Sequence, residues 1–496
     1  MKKTKTNTIM KKIFYTVLLA LSFCATASAQ HNLRTGYFLD GYVYKHKLNP
    51  AFASDRGYFA IPIAGYVSAG VESNLAVSTF LTPDGNGNLM TFLNPNVSAE
   101  DFLSGIADNN PLNLNVDVPV ISFGFHAGKS FNTLDLSLKT DVRTNIPGSM
   151  FSWAKQYGET FDLSNFGLNA DARLELAYGY SRQCGQKFRY GFKLKFIAGL
   201  AKANYAMEQL TMNMSETEWS VASKGAGYFT APGIGFKTTE TGAISGFNVP
   251  NDYAVLLDAA INSRNFGGAV DLGFSLDIFK WLTLSASVTD LGFVNWNGVS
   301  RLESAEHVTA YTGFDNIGPD TDMSAIEAEF KALGEELMDA LYPKEVEKGL
   351  LLKENLSATA HAGLELRVPF YKRLSVGVLA THRFDGAYSW KELRGSVNWA
   401  LFRWLSFSAS HAESTYGQSF GGAINFHPKR LNIFVGVDSY KPVMNVSPQY
   451  IPVDSFNTTV AAGINFTFGK YHGRYPRKSE VAAAAAAAAA VEVVAE

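Results

Sequence analysis

The sequence predicts an all-β membrane protein, a transmembrane antiparallel β-barrel of about 14 strands. Three observations lead there. Many segments alternate strictly between apolar and polar or small residues, as in residues 131–143, FNTLDLSLKTDVR. Leu134, Leu136, Leu138 and Val142 take one face, and Asp135, Ser137, Lys139, Asp141 and Arg143 the other. A period of two is that of a strand. The connections between such segments alternate between short and long. The short ones set a basic residue among aromatics: Phe279-Lys280-Trp281, Phe370-Tyr371-Lys372-Arg373 and Phe402-Arg403-Trp404. Short turns at one end, long loops at the other and aromatic girdles at the interface describe a membrane barrel. A soluble sandwich would bury the apolar face between two sheets and space its turns more evenly.

The elements follow in chain order. Lys2, Lys3, Lys5, Lys11 and Lys12 precede the apolar run IFYTVLLALSF, which ends before Ala27-Ser28-Ala29. Residues 1–29 therefore read as a secretory signal peptide cleaved after Ala29. About 11 apolar residues are too few to cross ~30 Å of hydrocarbon as a helix. Leu21-Ser22-Phe23-Cys24 is similar to a lipoprotein box, but Phe23 is too large for the position before the cysteine. Cleavage leaves Cys184 alone, so no intrachain disulfide is expected. No later window holds 18 uninterrupted apolar residues, so no transmembrane helix is expected.

Residues 30–57 contain too much polar and turn chemistry for a wall strand and read as an N-terminal plug or hatch. In it Phe38, Tyr42, Tyr44 and Phe52 are placed to cover an apolar pocket, and Asn49-Pro50 fixes a rigid turn. The barrel is assigned to residues 58–470. Its strands are expected near 58–80, 116–128, 132–144, 167–182, 188–205, 264–279, 281–296, 356–370, 373–385, 391–402, 404–416, 418–427, 431–441 and 456–469. An even number puts both termini on the periplasmic side. Division of 58–80, or pairing of 208–222, would move the count within about 12–16.

The connections 203–263 and 297–354 read as long, irregular outer loops. Residues 323–342 place Ile326, Phe330, Leu333, Leu337 and Leu341 at helical spacing, with Asp322 or Ser324 as cap and Pro343 as stop. That predicts a helix in a long extracellular loop. Residues 471–496 read as a low-complexity, Ala-rich periplasmic tail. The last strand ends Gly463-Ile464-Asn465-Phe466-Thr467-Phe468, an order that resembles the signal read by the outer-membrane barrel assembly machinery.

Chemistry is sparse. A formal charge of −2 gives no reason to expect nucleic acid as a partner. The sequence holds no G-x-S-x-G, H-E-x-x-H, C-x-x-C or Walker motif. His382, His411 and His427 lie near Ser and Asn on wall strands or their ends, where such residues are common. No catalytic residues, cofactor or metal are expected. Asp84-Gly85-Asn86-Gly87-Asn88 begins like a calcium loop, but Pro95 stands where the twelfth-position Glu belongs, so it reads as a loop tip. The lumen face carries Asp135, Lys139, Asp141, Arg143, Arg173, Glu175, Lys193, Lys195, Asp271, Asp277, Glu365 and Arg367. Both signs occur on neighbouring strands. They serve either as cross-strand ion pairs locking a filled pore or as a polar path around a plug.

Several phrases resemble a Bacteroidota outer-membrane barrel family of unknown function. They are Tyr37-Phe38-Leu39-Asp40, Leu48-Asn49-Pro50-Ala51-Phe52, Gly57-Tyr58-Phe59-Ala60-Ile61-Pro62, Ser122-Phe123-Gly124-Phe125, Glu175-Leu176-Ala177-Tyr178-Gly179-Tyr180-Ser181-Arg182, Gly191-Phe192-Lys193-Leu194-Lys195-Phe196 and Thr289-Asp290-Leu291-Gly292-Phe293. The Asn-Pro-Ala word is also similar to one near the start of long-chain fatty-acid transporter barrels and type IX secretion barrels. The resemblance implies an outer-membrane location, with outer-membrane lipid around the wall. The fatty-acid transporter likeness implies a movable N-terminal hatch and passage or binding of a small hydrophobic ligand. The alternative is a barrel that docks a secretion or surface-lipoprotein complex through a periplasmic or surface protein partner. An outer-membrane enzyme ranks third.

Overall fold

Alternation dictates strands, and in the computed structural model those strands close on themselves. The structure describes residues 32–84, 89–92, 94–155, 160–162, 164–214, 219–311, 342–440 and 455–473. The expected signal peptide, the helix at 323–342 (Tyr342 apart), most of the Asp84–Asn88 loop tip and nearly all of the Ala-rich tail lie outside the described residues. The wall has 14 antiparallel strands. In chain order they begin with β1 (Gly57–Ala60) and β2 (Val67–Ala76), two halves of one wall strand. Then come β3 (Asn109–Ala127), β4 (Ser130–Pro147), β5 (Gly167–Cys184) and β6 (Phe188–Met214). After β7 (Trp219–Thr230) follow β8 (Phe266–Phe279) and β9 (Leu282–Tyr311). After β10 (Lys344–Asn355) come β11 (Thr359–Arg367), β12 (Leu374–Arg383), β13 (Trp390–Phe402), β14 (Leu405–Ser414), β15 (Gly417–Phe426), β16 (Leu431–Tyr440) and β17 (Ser455–Phe468). β17 pairs with β1 from Gly57↔Phe468 and with β2 from Val67↔Ala462, which closes the barrel.

Closure removes the exposed edges that a lipid environment would not tolerate. Outward positions are apolar and exposed, among them Leu134, Leu176, Leu194, Phe196, Leu272, Val378 and Phe466. Inward positions are polar and buried, among them Asp135, Glu175, Lys193 and Asp271. The short turns are tight: Gly128 and Gly185 adopt φ of 60° and 61°, which glycine takes without a steric penalty. Phe279 and Trp281 stack at 5.1 Å across one turn, and Phe402 and Trp404 at 5.1 Å across another, so the same aromatic clasp recurs.

Three features depart from the sequence reading. The first wall strand divides: Pro62 has no N–H to donate, and Ile63 adopts a φ of 67°. The connections 203–263 and 297–354 are not irregular throughout. β7 pairs with β6 and β9, and β10 pairs with β9, which raises the wall above the loop ends of β8 and β11. The 208–222 segment therefore pairs, but as an extension and not as further wall strands. The rim is consequently uneven: β9 runs 30 residues, whereas β12, β14, β15 and β16 run 10 each, near the minimum that spans a bilayer.

Candidate functional site

The lumen is the site, and its occupant is the chain's own N-terminal segment, residues 32–56. The segment contacts the wall on several sides at once. Asp438 of β16 accepts from the backbone N–H of Arg34 at 2.5 Å and of Thr35 at 2.9 Å, and from the Thr35 hydroxyl. Arg34 Nε lies 3.0 Å from Glu392 of β13, and its guanidinium stacks over Trp390. Tyr37 shares a hydrogen bond with Ser285 of β9, and Tyr44 donates to Asn465 of β17 at 2.7 Å. Lys47 pairs with Asp117 of β3 at 2.6 Å. Asn49 Nδ2 donates to the Phe274 and Ala286 carbonyls, each at 3.2 Å.

Glycines on the inner wall make room for these contacts. A Cβ at Gly191 would fall 2.1 Å from the Pro50 carbonyl oxygen, and one at Gly273 would fall 2.2 Å from Asn49 Oδ1. Gly191 and Gly273 pair across β6 and β8, so together they form one seat for the Asn49-Pro50 turn. Gly377 receives Phe38, Gly421 receives Thr35 and Gly436 receives Leu33 in the same manner. Burial sets the segment's ionisation. Desolvation pushes the Tyr37 hydroxyl up to about 12 and the His46 imidazole well below its ordinary range. His46 is held neutral against Tyr58, whose hydroxyl lies 2.7 Å from Nε2.

Above and around the segment runs a belt of ion pairs. Lys193 reaches Asp135 at 3.0 Å, Lys139 reaches Glu175 at 2.9 Å and Arg173 reaches Asp141 at 2.9 Å. Lys195 sits 2.7 Å from both Asp271 and Asp290. Arg143 pairs with Asp171 at 3.1 Å and with Asp385 of the β12–β13 loop. Nearer the short turns, Arg367 lies 3.7 Å from both Asp277 and Glu365. All 12 charged lumen positions singled out from sequence thus point inward, Asp277 and Arg367 being the two that stay partly exposed. Charges desolvated to this degree are tolerable when paired.

Cavities on either side of the segment are small. One of about 50 Å³ lies towards the long loops, lined by Arg34, Arg173, Asp290, His361, Arg383 and Trp390. Another of about 240 Å³ lies at the short-turn end, with Tyr37, Phe38 and Phe52 on one side and Arg189, Asp277 and Arg367 on the other. An apolar layer also faces inward near the loop end: Ile197, Ala269, Val294, Trp296 and Val299, backed by Leu350 and Leu352 of β10.

The gap between β1 and β2 forms a seam in the wall. Between Ala60 and Val67 only a 3.3 Å bond from Ile63 N to the Pro119 carbonyl joins the chain to β3 in the backbone ladder. Pro119 itself adjoins a register shift in β3. Outside the seam Phe59, Ile121 and Ile464 are exposed. Directly inside lies the aromatic cluster of Tyr42, Tyr44, Tyr58, Tyr66, Phe131 and Phe434, with Tyr44 rings 4.8 Å from Tyr66 and 5.5 Å from Tyr58.

Of the aromatics singled out from sequence, Tyr42 and Tyr44 join this cluster. Phe38 packs with Tyr37, Leu48 and Leu379, and half-buried Phe52 packs against them. Asn49 and Pro50 are buried in their glycine seat. His382 stacks against Phe384, His411 meets Phe420 edge-to-face, and His427 hydrogen-bonds Ser406 at 2.9 Å. Sequence reasoning missed Asp117, Glu392, Arg394 and Asp438, although the same period of two places them inward. It also passed over Asp290, which no periodicity would find: a φ of 60° turns its side chain into the lumen, off the alternation of β9.

Residues 50–438 match the model of a family described as a family of unknown function, DUF5723. No curated protein matches the sequence. Among solved structures, the barrel is similar to the toluene transporter TodX of Pseudomonas putida, at a TM-score of 0.40 and 8% identity over 86% of this chain and 93% of that one. It is similar also to the toluene transporter TbuX of Ralstonia pickettii, at 0.40 and 8% over 90% and 97%. A Pseudomonas aeruginosa FadL homologue matches at 0.36 and 11% over 89% and 98%.

Proposed function

Because the chain belongs to the DUF5723 family, whose description names no activity, we propose a function from the barrel itself: passage or binding of a small hydrophobic ligand across the bacterial outer membrane. In this reading the structure is the closed state, with the short turns in the periplasm and residues 32–56 as the hatch. The observation that carries it is the seam between β1 and β2 with the hatch's own aromatics behind it. The stretch between the two strands keeps two bonds to β17, from Ile464 N–H to the Ala64 carbonyl and from Asn465 Nδ2 to the Gly65 carbonyl, each at 2.9 Å, but a single ladder bond to β3, so the wall parts on the β3 side with little loss of hydrogen bonding. Withdrawal of Tyr42 and Tyr44 would leave an apolar, ligand-sized space next to lipid. The inward layer around Trp296 offers a second apolar surface nearer the loops. The ion-pair belt holds the wall in shape around the hatch.

The test is a variant that unseats the hatch without touching the charges. Gly273→Leu places a side chain where Asn49 sits. Uptake of the apolar fluorophore 1-N-phenylnaphthylamine into cells displaying the variant should rise severalfold over wild type, at equal barrel abundance. Unchanged uptake from a folded variant whose hatch has become protease-sensitive would sink the proposal. The competing reading, docking of a secretion or surface-lipoprotein complex, draws on the exposed Phe247, Val249, Val255 and Ile261 of the 231–265 loop.

A further inference from the structure

The loop 231–265 leaves the wall at the end of β7 and returns at the start of β8, and both points lie on the outer face. In the register of β7 on β6, Thr230 pairs with inward Lys202, so Phe229 opposite Ala203 faces out. At the return, Phe266 is exposed and packs 5.3 Å from Phe196 of the lipid-facing wall. The loop is thus continuous with the upper edge of the apolar belt.

Outside the wall it is built and held. Strands Gly235–Thr238 and Ile244–Asn248 form a hairpin whose Phe236 and Phe247 cluster with Phe229 at 5.0 and 5.2 Å. Its tip is pinned across the outer face: Ala243 bridges to Lys344, and Ile244 N–H donates to the Pro343 carbonyl at 2.9 Å. A helix, α1 (Tyr253–Asn262), follows, capped by Asp252 through a 2.9 Å bond from Ala254 N–H. Leu256 and Ala259 turn towards Gly233 of the loop's first residues. Phe247 (49%), Val249 (55%), Val255 (50%) and Ile261 (62%) are nonetheless exposed. Asp258 of α1 is exposed too, as are Lys237 of the hairpin and Arg264 after the helix.

We propose that this flap lies on the outer leaflet of the bilayer, with Phe247, Val249, Val255 and Ile261 at the boundary between headgroups and acyl chains. The partner is a lipid surface, and continuity with the belt at Phe266 and Phe196 supports that choice over a protein. Asp258 between Val255 and Ile261 sets the depth, because a carboxylate keeps its face of α1 at headgroup level. The flap widens the barrel's footprint on one side of the membrane. It needs no ligand in the lumen and is independent of the hatch.

The experiment uses the full-length protein with Cys24→Ser and Cys184→Ser and a single Cys replacing Ile261, labelled with an NBD fluorophore. The protein is reconstituted into phosphatidylcholine vesicles containing lipid spin-labelled at a shallow or a deep acyl position. Labels at Leu194 on the wall and at exposed Glu208 near the rim serve as lipid and water references. At position 261 the shallow quencher should lower emission at least twofold more than the deep one, and iodide should quench less than half as well as at position 208. A label at Val255→Cys should behave alike, and heat-modifiable gel migration confirms that each variant is folded. Full iodide access with no lipid quenching would overturn the proposal and return the patch to a protein partner. Deep quenching equal to that at Leu194 would overturn it as well.

Discussion

Asp438 gives the sharpest test of how the N-terminal segment is held. The carboxylate is fully buried and receives two backbone N–H groups and a hydroxyl from Arg34 and Thr35. It also balances Arg394 Nη1 at 3.5 Å and Arg34 Nε at 3.9 Å. Asp438→Asn keeps the shape but removes the charge, and its amide presents a donor where donors already converge. Hydrogen bonds to a charged group contribute about 1.5–3 kcal/mol each, so losing two costs about 3–6 kcal/mol. Both arginines also pair with Glu392, and loss of the Asp438 charge leaves that cluster more positive, which adds to the cost. At about 1.4 kcal/mol per tenfold, the undocked population should rise between about a hundredfold and about ten-thousandfold. Hydrogen exchange of the peptide 33–48 in nanodiscs reads that number, with the wall strand β6 as internal control. If exchange of 33–48 stays at the wild-type rate while the barrel remains folded, Asp438 is not the anchor and the argument fails.

Two further outcomes are expected. Leu194→Arg puts a charge on the outward face of β6, between the exposed Phe188 and Phe196; it should cost about 2–4 kcal/mol of insertion at the bilayer midplane, measured by reversible unfolding into urea, whereas a normal midpoint would mean that the apolar face does not meet lipid. Acid should loosen the short-turn end, because desolvation lowers His427, which packs against Gly41 of the segment, to about 4, and lowers His46 well below its usual value. A depressed histidine stabilises the fold fully above the unfolded value of about 6.5, and that contribution is lost as pH falls towards the folded value, by up to about 1.4 kcal/mol per pH unit for each group. The melting temperature should therefore drop between about pH 6.5 and 4, and His427→Asn should flatten that slope; an unchanged slope in the variant would remove His427 from the account.

Much of the barrel was legible because lipid leaves few alternatives. Leu134 and Leu136 against Asp135 and Ser137 can only be a wall strand, and the aromatic clasps at Phe279-Trp281 and Phe402-Trp404 mark its turns. The wall beyond the bilayer was not legible. There β7 and β10 are freed from the lipid constraint, and 203–263 and 297–354 read as irregular. The twelve lumen charges followed from alternation, but their partners did not, since ion pairing depends on stagger between strands. Asp290 escaped entirely because one left-handed residue breaks the period. The segment's aromatics were visible, but the glycines that receive them were not. Gly191, Gly273, Gly377 and Gly436 look like filler on a polar face until the N-terminal segment is laid against them. A missing side chain is a signal only when its neighbour is known.

The seam has a consequence for assembly. One cluster joins Tyr42 and Tyr44 of the segment to Tyr58 of β1, Tyr66 beside β2, Phe434 of β16 and Ala461 of β17. The first and last strands therefore meet over a surface that the threaded segment provides. The closing edge of the wall and the filling of its lumen thus share one apolar cluster, and a substitution that unpacks either side of it loosens both.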